Sequence, residues 1–229
     1  MNRPPLLALV ASGPTRHSVV ARLPRLAQLL GPVKAPDLRI ASRIANSLRA
    51  GWAARTWEEL ADAEIIVICV SSPRLFTRMI AEMAAVPNIW RGKTILAADA
   101  PLGRQALAPL VCQGAETASL IAMDLIPPSF ILDADRRASL RIRRLIRDAG
   151  GKTIEASEQA YSNVARLMDQ HLPELFHDAV AILQQSGLET GEARRLVEVQ
   201  FHQTLRSYLR GGRAVQRRRW QPPVGIPAD

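Results

Sequence analysis

The chain has 229 residues, 48% of them hydrophobic, and a formal charge of +9 from 30 Lys+Arg against 21 Asp+Glu. That length admits one large domain, or one domain with a smaller helical one, and ample material for a core. The sequence has no run of about 18 uncharged apolar residues, which argues against a membrane span. Its two cysteines have no metal-ligand spacing to the four histidines, so no metal site is expected and both thiols read as reduced and cytoplasmic.

Leu6–Val10 reads as a short buried strand and not as part of a signal peptide, because no small-residue cleavage site follows it. It leads into Ser12-Gly13-Pro14-Thr15-Arg16-His17-Ser18. Against the spacing G-x-G-x-x-G only Gly13 holds, with Thr15 and Ser18 at the second and third glycine positions. In that turn the first glycine makes the bend, the second lets the backbone approach a pyrophosphate, and the third lets the helix lie close to the strand. A helix N-terminus still offers free N–H groups and hydroxyls at Thr15 and Ser18. Against binding, the Thr15 Cβ crowds the approach and Pro14 has no N–H. The alternative is a degenerate turn kept for folding.

A helix is expected from about Thr15 to Leu30, shortened or kinked by Pro24. Pro32–Ala35 follows as a weak second strand, 40–48 as a helix ended by Ala50-Gly51, and 52–55 as a short third strand. Thr56 and Glu59 form a capping-box pattern. Lys34, Arg39 and Arg43 cluster around the end of the second strand, with Asp37 as the one acidic candidate for a ribose contact. Arginines there favour a 2′-phosphate, and so NADP over NAD; an exposed basic helix face is the plainer account of any single one.

Ile65–Val70 is the clearest strand, β-branched and continuous, with Cys69 expected as a buried core thiol. Ser71-Ser72-Pro73 stands at its carboxyl end, where open α/β sheets bind ligands; Ser72 is equally an N-cap for the helix that Pro73 begins. Further strands are expected at 93–98, 118–123 and 152–154, with a basic helix at 136–149 stopped by Gly150-Gly151. Strands separated by helices at this rhythm imply a doubly wound, mostly parallel sheet. Asp99 and Asp124 follow strands and could position an amine or move a proton, though a turn or cap role is commoner. Tyr161 could donate a proton, with packing the likelier duty.

From about Ala156 the strand signal disappears. Two long helices are expected, 158–186 and 190–209, with Gly187 between them and a bend at Pro173. They carry more apolar surface than two helices can cover for each other, which points to a homodimer made through this part. The tail from 213 to 229 holds Arg213, Arg217-Arg218-Arg219 and Trp220. Such a cluster can bind phosphates, but without a nucleic-acid fold beside it no nucleic-acid partner is expected, and no membrane.

Several pieces in order resemble the Rossmann-like NADP oxidoreductases related to pyrroline-5-carboxylate reductase, in particular a bacterial subgroup with a short helical second domain. They are 12–16 at the glycine turn, Glu59 to Glu64 followed by Ile65–Val70 and Ser71-Ser72-Pro73, then Leu107-Ala108-Pro109-Leu110 with Gly114-Ala115, and Ala149 to Lys152 with Tyr161. The chain departs from that pattern at Met123-Asp124, where a His-Pro pair is usual, at Ser162, where a histidine is usual, and at Asp169-Gln170. The resemblance implies a Rossmann-like α/β domain over 1–153, an all-helical dimerisation domain over 154–212 and a basic tail over 213–229. It also implies NADP as cofactor and reduction of a C=N or C=O bond of a small molecule. The cofactor-binding set it points to is Gly13, Pro14, Thr15, Arg16, Ser18, Arg39, Arg43, Ser71, Ser72 and Pro73, with no side chain singled out as catalytic. A catalytically silent nucleotide-binding or regulatory protein, and an arginine-dependent anion or nucleic-acid binder, are the alternatives.

Overall fold

Five consecutive residues with no solvent exposure, Leu7–Ala11, form the central strand β1 of the computed structural model, which describes residues 6–13 and 19–211. Around it the strands β2 (Leu30–Lys34), β3 (Trp52–Ala53), β4 (Ile65–Cys69), β5 (Thr94–Ala98), β6 (Glu116–Met123), β7 (Ser129–Ala134) and β8 (Lys152–Glu155) build one sheet in the order β3-β2-β1-β4-β5-β6-β7-β8. The helices are α1 (Val19–Arg22), α2 (Leu38–Leu48), α3 (Pro73–Ala84), α4 (Ala108–Val111), α5 (Arg136–Asp148), α6 (Glu158–Gln185) and α7 (Thr190–Gly211).

Side chains alternate across a strand, so each central strand feeds two cores. Leu7, Leu9 and Ala11 join Ile65, Val67, Leu96 and Leu120 on one face. Ala8 and Val10 join Ile66, Ile68, Phe76 and Trp90 on the other. The expected doubly wound, mostly parallel sheet is therefore present, followed by helices.

Two local expectations are corrected. The first helix does not run to Leu30: within the described residues it covers Val19–Arg22, and Pro24–Leu29 is a 3-10 turn. Leu23 before the proline has φ −125° and ψ 82°, outside the helical region, because the ring of Pro24 crowds it. Leu30 instead starts β2, whose one extra residue against β1, between Leu30 and Val33, accommodates the missing N–H of Pro32. The second correction is β7, which has no helix before it to mark it. Only residues 124–128 separate it from β6, too few for a crossover, so it returns antiparallel, with Met123 opposite Ser129. The Ser72 cap formed, its Oγ accepting from Leu75 N, but the capping box formed only in half. Glu59 accepts from the backbone N–H groups of Arg55 and Thr56, while the residues that follow make a 3-10 turn, Glu58–Leu60, whose N-cap position is Trp57 and not Thr56, with no side-chain cap. Gly51 has φ +72°, and a Cβ there would stand 2.2 Å from the Gly31 carbonyl oxygen, so only glycine fits between α2 and β3.

Because β7 runs backwards, its carboxyl end lies where the parallel strands begin. There Arg104 holds Asp135 at 2.6 Å and Asp133 at 3.2 Å, while Asp135 also accepts from the Thr117 N–H and hydroxyl. Asp133 accepts from Glu158 N, and the Glu158 carboxylate accepts from Arg104 N, which fixes the first turn of α6.

The chain divides into two compact units at Asn163/Val164. In the second, Val180, Ala193 and Val197 form a small core between α6 and α7. No helix among the described residues is long and apolar enough to cross a membrane.

Burial alone raises the Asp135 carboxyl, but the Thr117 N–H, the Arg104 charge and the Thr117 hydroxyl outweigh it and hold the group below its ordinary value. A depressed carboxylate contributes stability above its unfolded pKa of about 3.9 and loses it as pH falls through the folded value. Asp135→Asn should therefore cost about 1 kcal/mol near neutral pH, a figure reduced for the partly exposed site. Urea melts across pH should show the deficit shrinking toward zero in acid; a deficit that does not change with pH would remove the charge from the explanation.

Candidate functional site

The strand order reverses between β1 and β4: the chain leaves β1 for β2 and β3 on one side, then returns to β4 on the other. Outside the carboxyl ends of two such strands the connections diverge and leave a crevice. Ala11 pairs with Cys69, so Ser12 and Gly13 leave β1 beside the point where Val70, Ser71 and Ser72 leave β4. The structure thus brings together Gly13 and Ser71–Pro73. Pro14, Thr15, Arg16 and Ser18 lie outside the described residues.

Gly13 has no positive φ, and a Cβ built on it meets nothing within 4 Å among the described residues. Among the described residues, nothing packs against that position. Ser71, Ser72 and Pro73 are exposed; Ser72 caps α3 and Pro73 occupies its first turn, so both have structural duties besides any contact with a ligand.

Arg39 and Arg43 are exposed on successive turns of α2, and neither has an acidic partner among the described residues. Asp37, the candidate ribose carboxylate, is the N-cap of that helix and accepts from Arg39 N at 2.6 Å. Lys34, at the end of β2, stands 5.3 Å from the ring centroid of Trp57. That pair went unread in the sequence because the two residues lie on different strand ends; only the adjacency of β2 and β3 joins them.

At the other side of the crevice Asp99 follows β5 with φ +50°, and its carboxylate accepts from Ala122 N at 2.8 Å, tying β5 to β6. Asp124 is exposed. Arg22, the last residue of α1, donates to the Met123 carbonyl at 3.4 Å. Cys69 is partly covered at the end of β4. Burial pushes its thiol up to about 12, with the Asp99 charge adding to the rise and a backbone hydrogen bond at Val19 opposing it. Such a thiol stays protonated and is no nucleophile at neutral pH. Tyr161 is half-buried in the first turn of α6.

A separate cleft of about 630 Å³ lies by the carboxyl ends of β7 and β8, the end of the sheet away from the crevice. Its lining includes Asp133, Arg136, Ser139, Leu140, Arg143 and Glu155.

No protein-family model matches the chain, and no curated protein matches it. Solved structures do. A pyrroline-5-carboxylate reductase from Coxiella burnetii is 16% identical, with a TM-score of 0.58 over 91% of this chain and 81% of that one. An imine reductase variant from Myxococcus stipitatus, in complex with NAD+, is 15% identical with a TM-score of 0.67 over 91% and 75%. A reductive aminase from Aspergillus terreus, in complex with NADPH and ethyl levulinate, is 16% identical with a TM-score of 0.62 over 90% and 75%. At these identities the likeness is one of fold.

The thiols give a direct check of this end of β4. In native protein Cys112, which is exposed, should react with a chromogenic disulfide within minutes, and Cys69 only after denaturation. Two thiols titrating at the same fast rate would show that Cys69 is open to solvent.

Proposed function

We propose that the protein binds NADP(H) across the ends of β1 and β4 and belongs functionally with reductases of C=N or C=O bonds. The observation that carries this reading is the crevice itself: a glycine with open space at Gly13 facing Ser71–Pro73 at the strand-order reversal. Its support is the fold shared with a pyrroline-5-carboxylate reductase, an imine reductase and a reductive aminase. When bound, the nicotinamide supplies the hydride. The chain's own part is positioning. Gly13 would give backbone access for a pyrophosphate; Pro14, Thr15, Arg16 and Ser18, assigned to the same turn from the sequence, lie outside the described residues. Ser71 and Ser72 offer hydroxyls, and Arg39, backed by Arg43 one turn on, supplies positive charge for a 2′-phosphate beside Lys34 and Trp57. Asp99, whose carboxylate accepts from Ala122 N, places negative charge at the ends of β5 and β6, which would favour a cationic amine or iminium nearby. Two free thiols suit a reducing, cytoplasmic setting.

Replacing Arg39 and Arg43 together by Ala should weaken NADPH at least tenfold while NADH changes less than about twofold, since a phosphate contact of about 1.5–3 kcal/mol is lost from only one cofactor. Calorimetry on both cofactors measures it. Equal losses would remove the 2′-phosphate assignment, and NADPH binding without turnover on any imine or carbonyl would make the protein a binder instead of a reductase.

The helical unit is proposed to pair with a second copy. Leu175, Ile182 and Leu196 are each half or more exposed along an apolar groove of about 1320 Å³ between α6 and α7. A symmetric partner offering the same apolar face would cover it on both copies. Light scattering should give a dimer at micromolar concentration, and Leu196→Glu with Leu205→Glu should dissociate or unfold it. A stable monomer of the unmodified chain would overturn the pairing.

A further inference from the structure

Helix α5 packs Ala138, Ile142, Leu145 and Ile146 into the core and turns arginine outward. Its thirteen residues hold six arginines and one acidic residue, Asp148. At 3.6 residues per turn these fall into two rows, Arg137, Arg141 and Arg144 on one side and Arg136, Arg143 and Arg147 on the other. Between them runs Leu140, 64% exposed. The first row rises about 10 Å and the second about 16 Å along the axis, with neighbouring positions in a row about 4 to 10 Å apart in rise.

Among the described residues three carboxylates answer the six guanidinium groups: Glu116, Glu155 and Asp148. Arg136 has no acidic partner among the described residues. Arg144 and Arg147 share Asp148 at 3.7 and 3.6 Å, and Arg137 reaches Glu116 only at 3.9 Å with its side chain 85% exposed. Long, exposed pairs of this kind contribute little. Arg136 and Arg137 also stand in the first helical turn, where positive charge opposes the helix dipole, and the N-cap residue Asp135 directs its carboxylate to Arg104 and Thr117 and makes no cap hydrogen bond. Local helix stability accounts for Arg147, which stands in the last turn where the dipole favours a cation, but not for the two arginines at the helix start. Arg141 also binds the Gly92 carbonyl and Thr94 hydroxyl.

We infer that the outer face of α5 docks the sugar–phosphate backbone of a nucleic acid. Guanidinium forks match phosphate oxygens in pairs, and the helix uses arginine throughout with no lysine. An anionic membrane fits less well, since the apolar side of α5 is consumed by the core and leaves only Leu140 to insert. The site lies on a different part of the sheet from the crevice and does not depend on cofactor binding there. It is also distinct from the arginines of the 213–229 tail.

The test is fluorescence anisotropy of a labelled DNA duplex with the full chain over a salt series. One variant carries Arg137→Gln, Arg144→Gln and Arg147→Gln, exposed positions where glutamine keeps helix propensity. A second carries Gln at Arg213, Arg217, Arg218 and Arg219. The α5 variant should bind at least tenfold more weakly in moderate salt, with the log–log salt slope smaller by about two to three, while its circular dichroism melt matches the parent. Absence of duplex binding by the parent would overturn the inference. So would an unchanged affinity in the α5 variant, loss confined to the tail variant, or binding to anionic vesicles but not to duplex.

Discussion

The burial of β1 and β4 on both faces is the constraint from which the rest of the first unit follows. Leu7–Ala11 and Ile65–Ile68 are almost wholly without exposure, and alternate residues point to opposite sides. A strand pair of this kind cannot stand at an edge or face water on one side, so it must be central and must be covered by two layers. Burying a side chain such as Leu9 or Ile66 contributes on the order of 1.5–3 kcal/mol, which no surface ion pair here approaches. Connections that cover both faces must then leave β1 one way and enter β4 the other. The crevice is a by-product of that necessity.

The same logic explains why the far side of the sheet is built differently. Once β6 is reached the chain turns back on itself, and the carboxyl ends of β7 and β8 arrive at the opposite end. Polar residues there, Thr117, Asp133 and Asp135, lie beside one another across the β6–β7 pair, and Arg104 gathers them. A half-exposed network can be satisfied in this way without the cost of a fully buried charge. Its carboxylates anchor Glu158 and thereby the start of α6.

Strands were legible where burial writes itself into composition. Ile65–Ile68 is β-branched throughout, and the Ser72 cap and the Glu59 back-bond to Arg55 and Thr56 are local chemistry that a few residues specify. The β7 strand is not, because no helix separates it from β6; its apolar Phe130, Ile131 and Leu132 are the signal present. The first helix is shorter than its apolar pattern suggests because Pro24 holds Leu23, the residue before it, outside helical angles. At the crevice, Gly13 and Ser71–Pro73 could be paired from sequence since both follow strong strands. The Arg104 cluster and the approach of Lys34 to Trp57 could not, since each joins residues that only strand order makes neighbours.

Separating what the fold requires of a residue from what a ligand would require sharpens the crevice further. Gly51 is fixed by the fold: its φ and the Gly31 carbonyl leave no room for a side chain. Ser72 and Pro73 have helix-starting duties that would keep them in place with no ligand at all. Asp37 is a cap, and Asp99 ties two strands. Gly13, Ser71, Arg39 and Arg43 are different, because no hydrogen bond, steric limit or ion pair among the described residues demands them. A glycine kept where a Cβ would fit carries an entropic cost of roughly 0.5–1 kcal/mol against alanine unless its bareness serves an approach from outside. These four are therefore the positions at which substitution separates binding from folding, and they lie on both sides of the strand-order reversal.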